Sequence, residues 1–204
     1  MIALDIETVA QSVKVLQSIM PEFEGRTGTK DPEKIAAQIA VKRAEWLDKA
    51  ALDPNLGRIA CVSLYDGSDM VSFHDHESKI LSELWMMLED QPEIVTFNGK
   101  SFDLPYIIRR SWYCGVKPTR GYDTHRYYSK THFDLRLILA DGDTHAKGKL
   151  SDYAKLKLGV DMDTKGSEVQ ALWDEGKIKE IVDHCEQDTL ITWQLFESMR
   201  GYYL

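Results

Sequence analysis

Long hydrophobic runs, paired cysteines and repeats are all missing from this 204-residue chain, and each absence removes a class of protein. No apolar run approaches the roughly 20 residues that cross a bilayer, so no membrane partner is expected. The start, Met1-Ile2-Ala3-Leu4, carries neither a basic segment nor a small-residue cleavage site, so no secretory leader is expected. The three cysteines, Cys61, Cys114 and Cys185, are far apart and form no Cys-x-x-Cys pair. That argues against a disulfide framework and against a zinc ribbon, and makes a reduced, cytoplasmic setting the expectation. Gly99-Lys100-Ser101 ends like a phosphate-binding loop, but Ile94 stands where that motif needs its first glycine.

What remains is an ordinary soluble composition, 43% hydrophobic and 28% charged, expected to form one domain over 1–204. Net charge is −8, which alone discourages phosphate contacts. The charge is uneven, however. Between Lys100 and Lys165 stand 13 Lys/Arg against 8 Asp/Glu, leaving 12 against 25 elsewhere. A basic middle segment of this kind suits a nucleic-acid backbone, and it also reads as an uneven solvated surface.

Periodicity gives an α/β order. Ile2–Ile6, Arg58–Tyr65, Met70–His74 and Ile94–Phe97 read as strands; Glu77–Leu88 and Phe102–Tyr113 read as helices. Helices are expected over Leu150–Leu158, Gly166–Trp173 and Ile178 to about Met199. Residues 10–55 read as a charged helical insertion after the first strand, opened by Asp31-Pro32 and closed by Asp53-Pro54-Asn55. Residues 115–132 read as an irregular loop, and Phe133–Ala140 as a helix capped by Asp134.

Three acidic segments punctuate this order. Asp5-Ile6-Glu7 puts two carboxylates on one side of a strand. Buried together they would repel, and a divalent cation relieves both the burial and the repulsion. Exposed, they would be a polar strip on an edge strand. Asp103 follows a strand through the Asn98-Gly99 turn and opens a helix, where an acid also simply favours the helix dipole. His184 and Asp188 are one helical turn apart, which suits a hydrolytic site or a solvated pair.

Taken in chain order, these segments resemble the three motifs of the DEDD exonuclease superfamily. Asp5-Ile6-Glu7-Thr8 resembles the first. Asn98-Gly99-Lys100-Ser101-Phe102-Asp103-Leu104-Pro105-Tyr106-Ile107 resembles the second, in the version carried by proofreading domains of family-B DNA polymerases. His184-Cys185-Glu186-Gln187-Asp188 resembles the third, and His132-Phe133-Asp134-Leu135 also looks familial. The resemblance implies a ribonuclease-H-like mixed sheet flanked by helices, and a 3′–5′ exonuclease. Its metal ligands would be Asp5, Glu7, Asp103 and Asp188, holding two Mg²⁺ or Mn²⁺ ions, with His184 orienting or deprotonating the water.

By the same resemblance, Thr8, Asn98 and Phe102 would contact the terminal nucleotide, Phe102 being equally suited to anchoring its helix. The implied partner is a single-stranded 3′ end, DNA ahead of RNA. An exoribonuclease and a weakened binding module of the same fold are the alternatives. One position departs from the pattern. The polymerase-like subgroup has tyrosine four residues before the last aspartate, where His184 stands here. The histidine subgroup has its histidine five before, where Asp183 stands. Tyr122, His125, Arg126, Tyr127, Tyr128 and Lys130 have the composition of a single-strand groove or of a loop packed by its tyrosines, and Lys147, Lys149 and Lys165 are similar candidates.

Overall fold

The computed structural model describes residues 1–125, 130–143, 145, 148–162 and 168–204. Five strands form one sheet: β1 (Ile2–Ala10), β2 (Gly57–Tyr65), β3 (Met70–Phe73), β4 (Ile94–Thr96) and β5 (His132–Asp134), in the order β3-β2-β1-β4-β5. β1 runs antiparallel to β2 and parallel to β4, so the sheet is mixed. The helices are α1 (Val13–Ile19), α2 (Pro32–Asp48), α3 (Glu77–Leu88), α4 (Asp103–Cys114), α5 (Leu135–Leu139), α6 (Leu150–Tyr153), α7 (Val169–Asp174) and α8 (Ile178–Met199). A 3₁₀ turn, Ala50–Leu52, follows α2, and α6 runs into a π-helical turn, Ala154–Leu158. Among the described residues no helix is long and apolar enough to cross a membrane.

β1 organises the molecule because it is central and buried on both faces. Strand alternation sends Ile2, Leu4 and Ile6 into a core with α3 and α4. Ala3 and Val9 pack into two clusters built on α8, so Asp5 and Glu7 between them face α8 as well. At Glu7 the pairing with β2 slips: Glu7 lies opposite Cys61 and Thr8 opposite Ile59, leaving Ala60 as a bulge. Bulges bend a strand and re-aim its side chains, and are common beside active sites. α8 meets the sheet with a stripe at helical spacing, including Ile181, Cys185, Thr192, Leu195, Phe196 and Met199.

One expectation needs correction, and one pair of readings is decided. Phe133 does not begin a helix. With His132 and Asp134 it forms β5, a strand of three residues that is too short to show alternation, and the helix begins only at Leu135. Tyr122 follows the second of its two readings, a loop packed by its tyrosine, and not the groove. It is buried in the α3/α4 core with its hydroxyl donating to the Leu88 and Gln91 carbonyls. His125 and Lys130 are exposed, whereas Arg126, Tyr127, Tyr128, Lys147 and Lys165 lie outside the described residues. The insertion has its expected start, with Pro32 in the first turn and the Asp31 carboxylate accepting from the Glu33 and Lys34 amides.

A buried ion pair ties the α3/α4 layer to the sheet. Glu77 of α3 accepts from Arg110 of α4 at 2.8 and 2.6 Å and from the Ile59 amide of β2 at 2.8 Å, while Arg110 also donates to the Pro54 carbonyl. Removing one partner of such a pair strands the other charge in the core. Glu77→Ala should therefore lower the unfolding free energy by about 3 kcal/mol in urea titration. A loss under about 1 kcal/mol would mean that water reaches and screens Arg110.

Candidate active site

β1, α4 and α8 each deliver acids to one place. β1 contributes Asp5 and Glu7 from its α8-facing side. Its pairing with β4 covers only Ile2 and Ala3, so beyond that point one edge of β1 is free. The first turn of α4 fills that opening: the Asp103 carboxylate is hydrogen-bonded by its own amide and by that of Ile6. The turn before α4 is fixed from below. Asn98 adopts φ 72°, the left-handed region that Asn tolerates, and Gly99 follows with its amide donating to Thr96 Oγ1. Asp134 caps α5 as expected, accepting from the Arg136 and Leu137 amides, and also accepts from the Asn98 and Lys100 amides.

α8 brings His184 and Asp188, and is seated by a small polar lock. The hydroxyls of Ser63 of β2 and Thr189 touch each other and both reach the Cys185 carbonyl, so one donates to the carbonyl and the other to its hydroxyl neighbour. The Cys185 thiol lies 3.5 Å from the Asp5 carbonyl and 3.7 Å from its carboxylate. Cys185 and Ser63 were not singled out from the sequence. The available signal was Cys185 falling within the buried stripe of α8.

The electrostatics are those of acids forced together. Burial first, then Asp103, Asp188 and Glu7, push the Asp5 carboxyl well above its usual range. Glu7 is raised by burial and then by Asp188. Asp103 and Asp188 are each raised from 3.8 to about 7, burial again being the largest cause. His184 moves the other way, since burial disfavours the imidazolium and lowers its pKa. Its ring is only 4% exposed, with Nε2 3.3 Å from Glu7 Oε1 and Nδ1 3.6 Å from Asp188 Oδ1. Asp183, the alternative histidine-subgroup position, instead faces solvent and pairs with Lys179 at 2.5 Å.

These residues fit a divalent cation. Glu7, His184 and Asp188 each offer a ligand atom, all within 4.8 Å of one another. His184 Nδ1 and Asp188 Oδ1 are buried with no hydrogen-bond partner. Two orphaned polar atoms facing each other among repelling carboxylates are what a cation would satisfy.

The expected substrate contacts divide. Thr8 and Phe102 line a cleft of about 670 Å³ that Glu7 borders. Phe102 also packs against Tyr106 and the α3/α4 core, so it anchors its helix while lining the cleft. Asn98 does not line that cleft, and its side-chain carbonyl accepts from Arg136 at 3.0 Å.

Residues 56–202 match the family model described as a predicted 3′–5′ exonuclease related to the exonuclease domain of PolB. The chain belongs to this family. The matched span includes Asp103, His184 and Asp188, and begins after β1. Among curated proteins the chain is similar to DNA polymerase 1 of Aeropyrum pernix, 29% identical over 173 residues, 72% of this chain and 17% of that one. It is also similar to DNA polymerase 1 of Saccharolobus solfataricus, 29% identical over 144 residues, 64% of this chain and 16% of that one. The chain thus spans about a sixth of the length of these relatives. Its fold is that of a segment of the family B DNA polymerase of Pyrobaculum calidifontis, with TM-score 0.62 and 15% identity over 97% of this chain and 24% of that one. The ribonuclease-H-like expectation therefore stands as a mixed five-stranded α/β sheet flanked by helices.

Stability should report the crowding of the acids. Asp103 and Asp188 have folded pKa values of about 7 against an ordinary 3.8, so between these values the folded protein holds protons that the unfolded chain has released. Stability without metal should therefore fall as pH rises from 5 to 8. In EDTA the melting temperature should drop across that range, Asp188→Asn should flatten the drop, and Mn²⁺ should reverse it at pH 8. A melting temperature that rises with pH in EDTA would contradict this assignment.

Proposed function

We propose that the chain is a metal-dependent 3′–5′ exonuclease that removes nucleotides from single-stranded ends, DNA ahead of RNA. The observation carrying this reading is the convergence of Asp5, Glu7, Asp103 and Asp188 from three separate elements onto one buried face, with unsatisfied ligand atoms on His184 and Asp188. Membership of the PolB-related exonuclease family supports it, and the names of the similar polymerases favour DNA.

In this reading the four carboxylates hold two Mg²⁺ or Mn²⁺ ions. Bound there, the ions would lower the pKa of a water and stabilise the leaving 3′-oxygen of a phosphodiester. The remaining work belongs to the protein. His184 stands between Glu7 Oε1 and Asp188 Oδ1, 3.3 Å from the first and 3.6 Å from the second. From there it orients the attacking water or takes its proton as the water oxygen joins the terminal phosphorus. The bond to the penultimate 3′-oxygen breaks, and a nucleoside 5′-monophosphate departs. The lowered pKa of His184 keeps one ring nitrogen unprotonated through neutral pH, which a base requires.

A 3′-labelled single strand incubated with Mn²⁺ should release mononucleotides, EDTA should stop the release, and a matched RNA strand should be cut more slowly. Failure of the pure protein to release mononucleotides at any pH with Mn²⁺ or Mg²⁺ would refute the assignment. Asp188→Ala should reduce turnover by at least about a thousandfold, on the scale of losing an essential member of a catalytic set, without loss of helical circular dichroism. His184→Ala should cost about 100-fold, the range of one positioned base, and should change the acidic limb of the pH–rate profile. An unaltered acidic limb in His184→Ala would remove the histidine from the base role.

A further inference from the structure

The 10–55 insertion meets the candidate active site at one place. The cleft bordered by Glu7 is lined by Leu47 and Asp48 from the end of α2 and by Ala51 and Leu52 from the 3₁₀ turn, together with Thr8 and Phe102. This corner is built into the core at its root. Ala50 is fully buried, and the Tyr106 hydroxyl donates to the Ala51 carbonyl at 3.0 Å. Only glycine fits at position 57, since a Cβ there would come within 2.9 Å of both the Ala50 and Ala51 carbonyl oxygens. Root and rim differ: Leu47 is 37% and Leu52 63% exposed, both on the cleft.

An apolar wall does nothing for phosphates or metal ions, which need charge and polar atoms. It does suit the face of a nucleobase, and the Phe102 phenyl ring lines the same cleft. Aliphatic side chains contact every base alike, because they read no hydrogen-bond pattern. A base that enters such a cleft has left its helix, so its Watson–Crick edge is not engaged by a partner strand. We propose that Leu47 and Leu52 form one wall of the pocket for the 3′-terminal nucleobase, so that the insertion is a substrate-positioning element that selects unpaired ends of any sequence. This inference rests on the exonuclease reading for the position of the scissile bond, but its binding half can be tested without turnover.

The test is a cycle between protein and substrate. One single-stranded DNA 12-mer ends in a normal nucleotide and a second ends in an abasic residue. Removing either side of an apolar contact should weaken wild-type recognition by about tenfold. The double variant Leu47→Ser/Leu52→Ser should raise KM about tenfold on the normal strand, with the loss concentrated in KM rather than kcat. On the abasic strand the variant and wild type should be equal, because the contact is already gone. The same cycle read by fluorescence anisotropy of a 5′-labelled strand in EDTA should show the same non-additivity. Additive losses in both readouts, or no loss for the variant on the normal strand, would overturn the proposal. If wild-type protein hydrolyses nothing but the anisotropy cycle is non-additive, the exonuclease reading fails and the nucleobase wall stands. If wild-type protein binds neither strand, the wall fails too.

Discussion

Like charges held out of water are the constraint on which the rest of this structure depends. Asp5, Glu7, Asp103 and Asp188 share one buried face, and burial is the largest force raising the pKa of each. Nothing local favours such a cluster, so it must be imposed by packing elsewhere. The α3/α4 core holds the back of β1 through Ile2, Leu4 and Ile6. The apolar ends of α8 pack on Ala3 and Val95 at one end of β1 and on Val9 at the other. Between those two apolar zones the acids have no room to move apart. Their relief is then chemical, by protons in the absence of metal and by cations in its presence.

The supporting parts make sense against that load. Ser63, Thr189 and the Cys185 carbonyl lock α8 to β2 next to the acids, with each hydroxyl satisfied inside the core. Asp134 gathers four backbone amides, which offset the burial of its own carboxylate and hold the Asn98–Lys100 turn. Asp103 therefore starts its helix from a fixed point at the open edge of β1. The pKa of His184 is lowered for the same reason that those of the acids are raised: the low-polarity face disfavours every charge, whichever its sign.

How much of this was legible in the sequence follows from the range of each interaction. Strand parity placed Asp5 and Glu7 together, and helical spacing placed His184 with Asp188, because both depend only on local geometry. The Asn98-Gly99 turn was readable for the same reason. β5 was not, since three residues carry no period, and His132-Phe133-Asp134 borrows its strand character from pairing with β4. Tyr122 was left between two readings for a different reason: a loop tyrosine suits a groove or a core by composition, and only the distant Leu88 and Gln91 carbonyls make it a core residue. The lock by Ser63 spans 122 residues of chain and has no local signature. Residue types could name the acids, but not the machinery that confines them.

The insertion follows the opposite rule. α2 has 17 residues and none of them is buried, so its helix is held by its Asp31 cap and by contacts along its length. Gln38 accepts from the Arg26 amide, Lys42 donates to the Glu24 carbonyl, and Trp46 meets Phe23 edge-on. A helix without a core face belongs to the low end of local stability. The corner at its exit does not share that weakness. Buried Ala50, the Tyr106 hydroxyl and the close approach at Gly57 tie it to the same core that supports β1. Opening of α2 can therefore leave Ala51 and Leu52 in place, while Leu47, one turn earlier, moves with the helix. The cleft lining then has a fixed part at Ala51 and Leu52 and an adaptable part at Leu47, which is what the proposed nucleobase wall would need to take bases of different size.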